Sequence, residues 1–149
     1  MDELAVLRAL HVTGAVLLLG NVTVTGFWAT YLYRARDQVP FRPVARAIMW
    51  TDLVFTVVGG VVLTVSGILL TMREGYRVME TPWLFKGIVA LGVSTLLWLV
   101  VLLPDQIRLE RLPAGDERTR RRIFVRWSLF GWAATLVLFY GLWTMVAKS

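Results

Sequence analysis

Four polar side chains of this sequence could do chemistry inside a membrane: His11, Asp52, Lys86 and the amide of Asn21. Each lies in or beside a long apolar stretch, where an ionisable group is costly and is a functional hypothesis by default. His11 is the only histidine. Its imidazole could bind a haem iron through one ring nitrogen while the other donates to an acceptor, or it could transfer protons. The alternative is an interfacial histidine bonded to a backbone carbonyl or to water.

A haem held by His11 needs either a five-coordinate iron or a second axial ligand. That ligand would come from a second subunit or from one of four side chains expected near the same membrane face: Met72, Met79, Met145 or Lys86. Helices one and three are expected to start on the same side, so His11 and Lys86 would lie at similar depths and could approach each other. Lys86 would then pair with a haem propionate or another acidic group. Its alternative is to snorkel to the interface.

Asp52 lies just before the second long apolar stretch. We expect Asp52 to lie in a first helical turn near the interface and to pair with Arg46 or Arg126. The alternative is an interior polar cluster with Asn21 or Thr25. The two interpretations differ in whether Asp52 belongs to the surface or to the bundle.

Small and polar residues recur at helical spacing along the first two apolar stretches. The first stripe is His11, Gly14, Leu18, Asn21 and Thr25, and the second is Asp52, Thr56, Gly59, Leu63, Ser66 and Leu70. Stripes of this kind let two backbones approach and form hydrogen bonds between helices. We therefore expect His11 to face the bundle and not the lipid.

These residues must be positioned by four stretches without a formal charge. The stretches are residues 9–33, 53–72, 87–104 and 127–147, with 25, 20, 18 and 21 residues. Each can cross a bilayer as a helix, and the alternation of a membrane barrel is absent. The sequence predicts an all-α fold, a bundle of four transmembrane helices forming one integral membrane domain over residues 1–149. We expect the helices at about 4–33, 43–72, 82–111 and 117–147.

Short polar segments connect the predicted helices. A turn covers 34–40, Pro43 is expected to open the second helix, and Pro82 suits the first turn of the third. Asp116 is expected to cap the fourth helix. The charge distribution around these segments predicts the orientation.

The chain has a net charge of +6 and no cysteine. The lack of cysteine excludes disulfides and thiolate metal sites from this chain. The basic residues flank apolar stretches, which indicates membrane orientation and contact with anionic lipids at a basic cytoplasmic loop, not binding of nucleic acid. The first and third connections carry Arg34, Arg36, Arg42, Arg46, Arg108, Arg111, Arg118, Arg120, Arg121, Arg122 and Arg126. The opposite side carries Arg8, Arg73, Arg77, Lys86 and Lys148. This bias predicts that both termini are extracytoplasmic.

Three segments carry a resemblance to a known family: LHVTGAVLLLGN at 10–21, TPWL at 81–84, and the aromatic-rich ending at 126–148. Over nearly the whole chain, the sequence resembles a bacterial family of predicted integral membrane proteins of unknown function. It is more distantly similar to the HemJ-type protoporphyrinogen oxidases and the CopD-type copper-resistance membrane domains. In the HemJ arrangement, His11 and the Lys86 of TrpLeuPheLys match a first-helix histidine and a later lysine. The chain lacks the further histidines of those enzymes.

The resemblance implies a haem-b protein with a redox or haem-pathway role, with His11 as iron ligand and Lys86 as polar partner. The alternative is a non-catalytic accessory subunit that packs on a larger membrane complex or forms a homo-oligomer. A copper conduit ranks third, because the methionines are few and scattered. In all three cases we expect a multi-pass protein of a bacterial plasma membrane.

Overall fold

The structure is a computed structural model that describes residues 2–35, 37–38, 41–113 and 115–148, without the side chains of residues 41, 42 and 45. The predictions that concern Arg36, Pro40 and the Arg42 side chain therefore lie outside the described residues. Across the described ranges every regular element is helical.

Four long helical rods form the molecule. Helix α1 covers Glu3–Arg34 and α2 covers Phe41–Glu74. The third rod consists of α3 (Pro82–Leu97), a π-helical turn (Trp98–Leu102) and α4 (Leu103–Arg111), and α5 covers Glu117–Ala147. A short 3-10 turn, Val78–Glu80, precedes α3. All four rods are long and apolar enough to cross a membrane, which confirms the predicted fold class.

The helix ends follow local sequence signals. The Asp2 carboxylate accepts from the Leu4 amide at 3.2 Å and caps α1. Asp116 caps α5 as predicted, by accepting from the Thr119 amide at 3.2 Å. Pro82 occupies the first turn of α3, where its missing N–H costs nothing. The second helix begins at Phe41, before the predicted start at Pro43, because proline is also tolerated within a first turn.

The rods pack as two helical hairpins. Helix α1 packs along α2, α3 packs along α5, and the contact between α1 and α5 joins the hairpins. Helices α2 and α3 share no extensive interface over the described residues, and α2 meets the third rod mainly at α4. Viewed along the bundle, the helices are therefore arranged as a U in the order α2, α1, α5, α3, with a lateral gap between α2 and α3.

The α1–α2 interface depends on close backbone approach. A Cβ atom at Gly14 would lie 2.5 Å from the Leu63 nitrogen, and one at Gly59 would lie 2.8 Å from the Leu18 nitrogen. Only glycine fits both positions, so the two predicted stripes of small and polar residues do face each other. The opposite faces of both helices are apolar and exposed, as lipid contact requires.

One end of the bundle holds the start of α1, the end of α5 and the 75–81 connection. The other end, here called the arginine-rich end, holds the end of α1, the start of α2, the end of α4 and the start of α5. A cluster of Leu102, Phe124, Trp127 and Ala134 packs near the arginine-rich end, with the Tyr33 and Phe124 rings stacked at 3.9 Å. Which end is cytoplasmic stays a prediction from the arginine distribution.

Candidate functional site

Asp52 is the centre of a polar cluster inside the bundle. Asp52 is only 4% exposed. Oδ1 accepts from the Asn21 amide at 3.0 Å and from the Thr56 hydroxyl at 3.1 Å, while Oδ2 accepts from Nε2 of Gln106 at 2.9 Å. Asp52 lies six residues after Arg46, the first residue of the membrane span of α2, which is about 9 Å along the axis. Three helical rods therefore converge on one carboxylate.

The expected pairing of Asp52 with Arg46 or Arg126 is wrong. The guanidinium of Arg46 donates to Glu110 at 2.7 Å, and Arg126 donates through Nε to Asp105 at 2.8 Å. Each arginine thus has a carboxylate on α4 within reach. The alternative interpretation, an interior cluster that includes Asn21, is what the structure shows.

A cavity of about 400 Å³ lies beside the Asp52 cluster. All four rods contribute to its wall, and the wall is mainly apolar. Its position matches the lateral gap between α2 and α3, where Val57, Val61 and Thr95 are exposed. Asp52 and Gln106 form its boundary toward the arginine-rich end. A pocket of this size and character can take up a small hydrophobic molecule, since ligand sites range from about 300 to 1,000 Å³.

Four buried polar atoms around this cavity have no hydrogen-bond partner on the protein. They are Nε1 of Trp98, Nε1 of Trp127, Oε1 of Gln106 and Oγ of Ser128, the complete set of such side-chain atoms among the described residues. All four residues line the cavity. Buried polar groups are normally paired, and leaving one unpaired costs about 1–3 kcal/mol. Because these atoms are themselves buried, they lie behind the cavity surface, and the size and mainly apolar wall of the cavity make it the candidate binding site.

The π-helical turn positions two of these residues. A π turn adds one residue to a helical turn, and such turns occur frequently at functional sites. Ser94, Trp98, Leu102 and Gln106 follow one another at intervals of four residues, and all line the cavity. In a regular α-helix this spacing would drift around the axis, so the extra residue keeps Gln106 on the face that carries Trp98.

Sequence reasoning missed Gln106, Trp98 and Asp105. Asp105 is fully buried, at 0% exposure, and holds Arg126 through both guanidinium contacts. No sequence signal could have found Gln106, because a four-residue spacing drifts around a regular helix and stays on one face here only through the π turn. Because Asp105 carries a charge, the third apolar stretch ended at Pro104 and both residues were assigned outside the membrane.

His11 sits in the α1–α2 interface and not in the cavity. Its Nδ1 lies 2.9 Å from the Leu63 carbonyl oxygen and 3.3 Å from the Ser66 hydroxyl, and its ring packs against Gly67. The prediction that His11 faces the bundle is thus seen in the structure. Lys86 is exposed on α3, whose packed neighbour is α5. The structure does not bring the two side chains together.

The methionines considered as second iron ligands differ in their surroundings. Met72 and Met79 are 72% and 85% exposed, and Met145 packs directly on Gly87. No group of three or more histidine, aspartate or glutamate side chains that could hold a metal ion occurs in the part of the chain that the structure describes. Haem ligation by His11 stays a prediction.

Comparison with known proteins gives one match. Residues 5–149 match the family described as "Predicted integral membrane protein (DUF2269)". No curated protein and no solved structure matches. The chain therefore belongs to this family of predicted integral membrane proteins, which confirms the family resemblance and the multi-pass membrane character. The comparisons give no support to the more distant similarity with HemJ-type oxidases and CopD-type domains.

Proposed function

We propose that this protein binds a small lipid-soluble molecule with a polar head in the cavity between its two helical hairpins. The observation that carries the proposal is a cavity of about 400 Å³ with a mainly apolar wall, to which all four rods contribute and on whose boundary Asp52 lies. The carboxyl group of Asp52 offers a polar contact for the head of the ligand, and the apolar wall accommodates its body.

Access through the bilayer supports a lipid-soluble ligand. The cavity-lining residues Val57 and Val61 of α2 and Thr95 of α3 are exposed, so the cavity is open at the gap between these two helices. A hydrophobic molecule dissolved in the membrane could enter there without crossing water. The polar head would then lie near the Asp52 cluster, and the apolar body would lie along the wall formed by residues such as Val61 and Trp132.

Tryptophan substitutions test the proposal. The probe is phenoxybutanol, whose aryl ring matches the apolar wall and whose hydroxyl matches the polar boundary at Asp52, with binding measured by titration calorimetry in nanodiscs. Trp98→Ala and Trp132→Ala each remove apolar wall surface and should weaken binding about threefold to tenfold. Trp143→Ala is the matched control, because Trp143 is 67% exposed and lies outside the cavity wall. Equal affinities in all three variants would contradict the proposed site.

A haem site at His11 is a second candidate, and one observation favours it. Iron-binding histidines usually donate their second ring N–H to a carbonyl or carboxylate. The 2.9 Å contact of His11 Nδ1 with the Leu63 carbonyl has that form and leaves Nε2 for another bond. Such a haem would supply redox chemistry, while Leu63 would fix the imidazole ring.

Absorption spectra of the purified protein test this candidate. The protein is expressed with ample haem supply and examined oxidised and dithionite-reduced, beside His11→Ala. A Soret band and reduced α-bands that vanish in the variant would support the haem site, and a flat spectrum would remove it. Co-purification with membrane partners or a stable homo-oligomer would instead support the accessory-subunit alternative.

A further inference from the structure

We infer that the ligand is a single-chain lipid alcohol, an unbranched alkyl chain that lies lengthwise along the bundle with its hydroxyl head at Asp52. This inference rests on the proposed function, because it names the chemical class of the molecule that the cavity takes. It uses three features of the cavity that a compact ligand leaves unexplained: its length, its narrowness and the position of its polar end.

The first feature is the length of the cavity. On α2 its wall extends from Asp52 to Val65, which is about 20 Å along the helix axis. On the third rod the wall extends from Gln106 back to Leu91, a similar distance. Because Gln106 bonds Asp52, the two walls start at the same level of the bundle and run side by side. The cavity is therefore elongated along the bundle axis.

The second feature is the narrowness of the cavity. Its volume of about 400 Å³, spread over the length of the α2 wall, corresponds to a mean cross-section of about 20 Å². A passage of this width admits one hydrocarbon chain, whereas two chains side by side or a fused-ring skeleton are too wide. A chain that fills it makes van der Waals contacts with the wall along its whole length, which a shorter ligand forgoes.

The third feature is the polar end at Asp52. A hydroxyl head can donate to a carboxylate and can accept from a carboxylic acid, so this contact forms in either protonation state of Asp52. Toward the arginine-rich end, the bond from Gln106 to Asp52 and the ion pair of Arg46 with Glu110 close the gap. The space beyond Asp52 is thus limited, and the head must be small.

The remainder of the cavity suits an alkyl chain. The Thr64 and Thr135 hydroxyls donate to carbonyl oxygens one turn earlier in their own helices, at 2.7 and 2.9 Å, and the Ser94 hydroxyl donates to the Ala134 carbonyl at 3.0 Å. Hydroxyl donors along the wall are thus used within the protein. The end of the cavity farthest from Asp52 is lined by the apolar side chains of Leu18, Val65, Leu91 and Leu138. Polarity therefore decreases along the cavity as it does along a single-chain amphiphile.

The opening of the cavity lets such a chain enter sideways. Val57, Val61 and Val65 recur at intervals of four residues on α2, and all three line the cavity and are exposed. The rods that form the cavity are long enough to cross the membrane, so the cavity runs in the direction of the surrounding lipid chains. A chain dissolved in the bilayer can therefore pass between α2 and α3 without turning.

Photo-crosslinking in nanodiscs tests this inference. Two hexadecanol probes carry a diazirine either at the chain end or close to the hydroxyl, and mass spectrometry locates the adducts. Specific adducts are those that excess unlabelled hexadecanol removes. The chain-end diazirine should label the far end of the cavity, at Val65, Leu91 or Leu138, and the other diazirine should label residues near Asp52 such as Thr56.

A substitution in the middle of the cavity is the matched test. Gly60 lines the cavity about 12 Å from Asp52 along α2 and has open space beside it. Gly60→Leu should therefore remove the specific chain-end adducts. Gly20→Leu adds the same side chain to open space on α1, outside the cavity wall, and should retain them.

Competition by other unlabelled molecules separates length from head group. Octanol reaches only about half of the cavity length and should compete at least about tenfold less well than hexadecanol, because part of the wall stays without contacts. Hexadecane has the chain but no hydroxyl and should also compete less well. Equal competition by octanol overturns the lengthwise chain, and equal competition by hexadecane overturns the head contact at Asp52.

The outcomes for the inference and for the proposed function are distinguishable. Specific adducts of both diazirines at the same residues overturn the lengthwise orientation. If phenoxybutanol then still binds and Gly60→Leu weakens that binding, the proposed function stands. Absence of specific adducts in the cavity together with absence of phenoxybutanol binding overturns the proposed function itself. The adducts on the unmodified protein decide the matter even if Gly60→Leu fails to fold.

Discussion

Nε2 of Gln106 donates to Oδ2 of Asp52 at 2.9 Å, and this bond joins α4 to α2 across the arginine-rich end of the lateral gap. Elsewhere along the gap α2 and the third rod have no extensive contact over the described residues. The same bond orients Oε1 of Gln106 and supplies one of the three neutral donors to Asp52. Together with the ion pair between Arg46 and Glu110, this bond therefore closes the arginine-rich end of the gap.

Replacement of Gln106 should therefore destabilise the bundle. Gln106→Leu leaves Oδ2 of Asp52 without its donor, which should lower the free energy of unfolding by about 1–3 kcal/mol. The measurement is SDS-induced unfolding in mixed micelles. Gln38→Leu is the control, because Gln38 is exposed in the first connection and should change stability by less than about 0.5 kcal/mol. Equal effects of the two substitutions would show that the bond does not stabilise the fold.

The buried carboxylate of Asp105 should matter more than the exposed one of Glu110. Asp105→Asn removes the partner of Arg126 at a site with 0% exposure and should cost at least about 2 kcal/mol. Glu110→Gln breaks a pair whose arginine is 67% exposed and should cost less than about 1 kcal/mol. Both are measured by the same unfolding assay. A larger loss of unfolding free energy in Glu110→Gln than in Asp105→Asn would contradict the larger contribution expected of the buried Asp105–Arg126 pair.

Gly14 should not tolerate even a methyl group. In Gly14→Ala the new Cβ would lie 2.5 Å from the Leu63 nitrogen, so α1 and α2 must separate. We expect a loss of about 1–3 kcal/mol in unfolding free energy, the usual effect of overpacking. The matched variant Gly20→Ala lies on the same helix with nothing within 4 Å of its Cβ. It should be neutral or stabilising by up to about 1 kcal/mol, because alanine favours helix.

The orientation in the membrane can be measured directly, because the chain has no cysteine. Gln38→Cys marks the arginine-rich end, and Arg77→Cys marks the connection near the termini. The positive-inside rule predicts that an impermeant maleimide added to intact bacterial cells labels only the cysteine at position 77. Labelling only at position 38 would mean that the bundle is inserted the other way round.

The sequence predicted the helical bundle well because apolar length and small-residue spacing are local properties. The stripe from His11 to Thr25 and the cap at Asp116 could be read without knowing the neighbours. The partners of Asp52 could not be predicted from the sequence, because Arg46 and Arg126 had several carboxylates within reach. Which carboxylate each arginine binds depends on how α4 lies against α2 and α5.

The cavity could not be predicted from the sequence either. Its walls require that α2 and α3 stay apart, and that distance is set by the packing of α1 on α5. The inward position of Gln106 requires the extra residue of the π turn at Trp98–Leu102. The apolar periodicity of the sequence does not predict that turn. In the sequence, Trp98 and Ser128 are therefore indistinguishable from the other members of the apolar stretches, although their polar side-chain atoms are buried without a partner.

The most direct test of the cavity as a binding site is the affinity for phenoxybutanol in nanodiscs, compared between two leucine substitutions. Gly60→Leu places a side chain into the cavity, whereas Gly20→Leu adds the same side chain to open space on α1, outside the cavity wall. We predict that Gly60→Leu weakens binding about tenfold or more and that Gly20→Leu leaves it within about twofold of the unmodified protein. Unchanged binding in Gly60→Leu would contradict the cavity as the binding site.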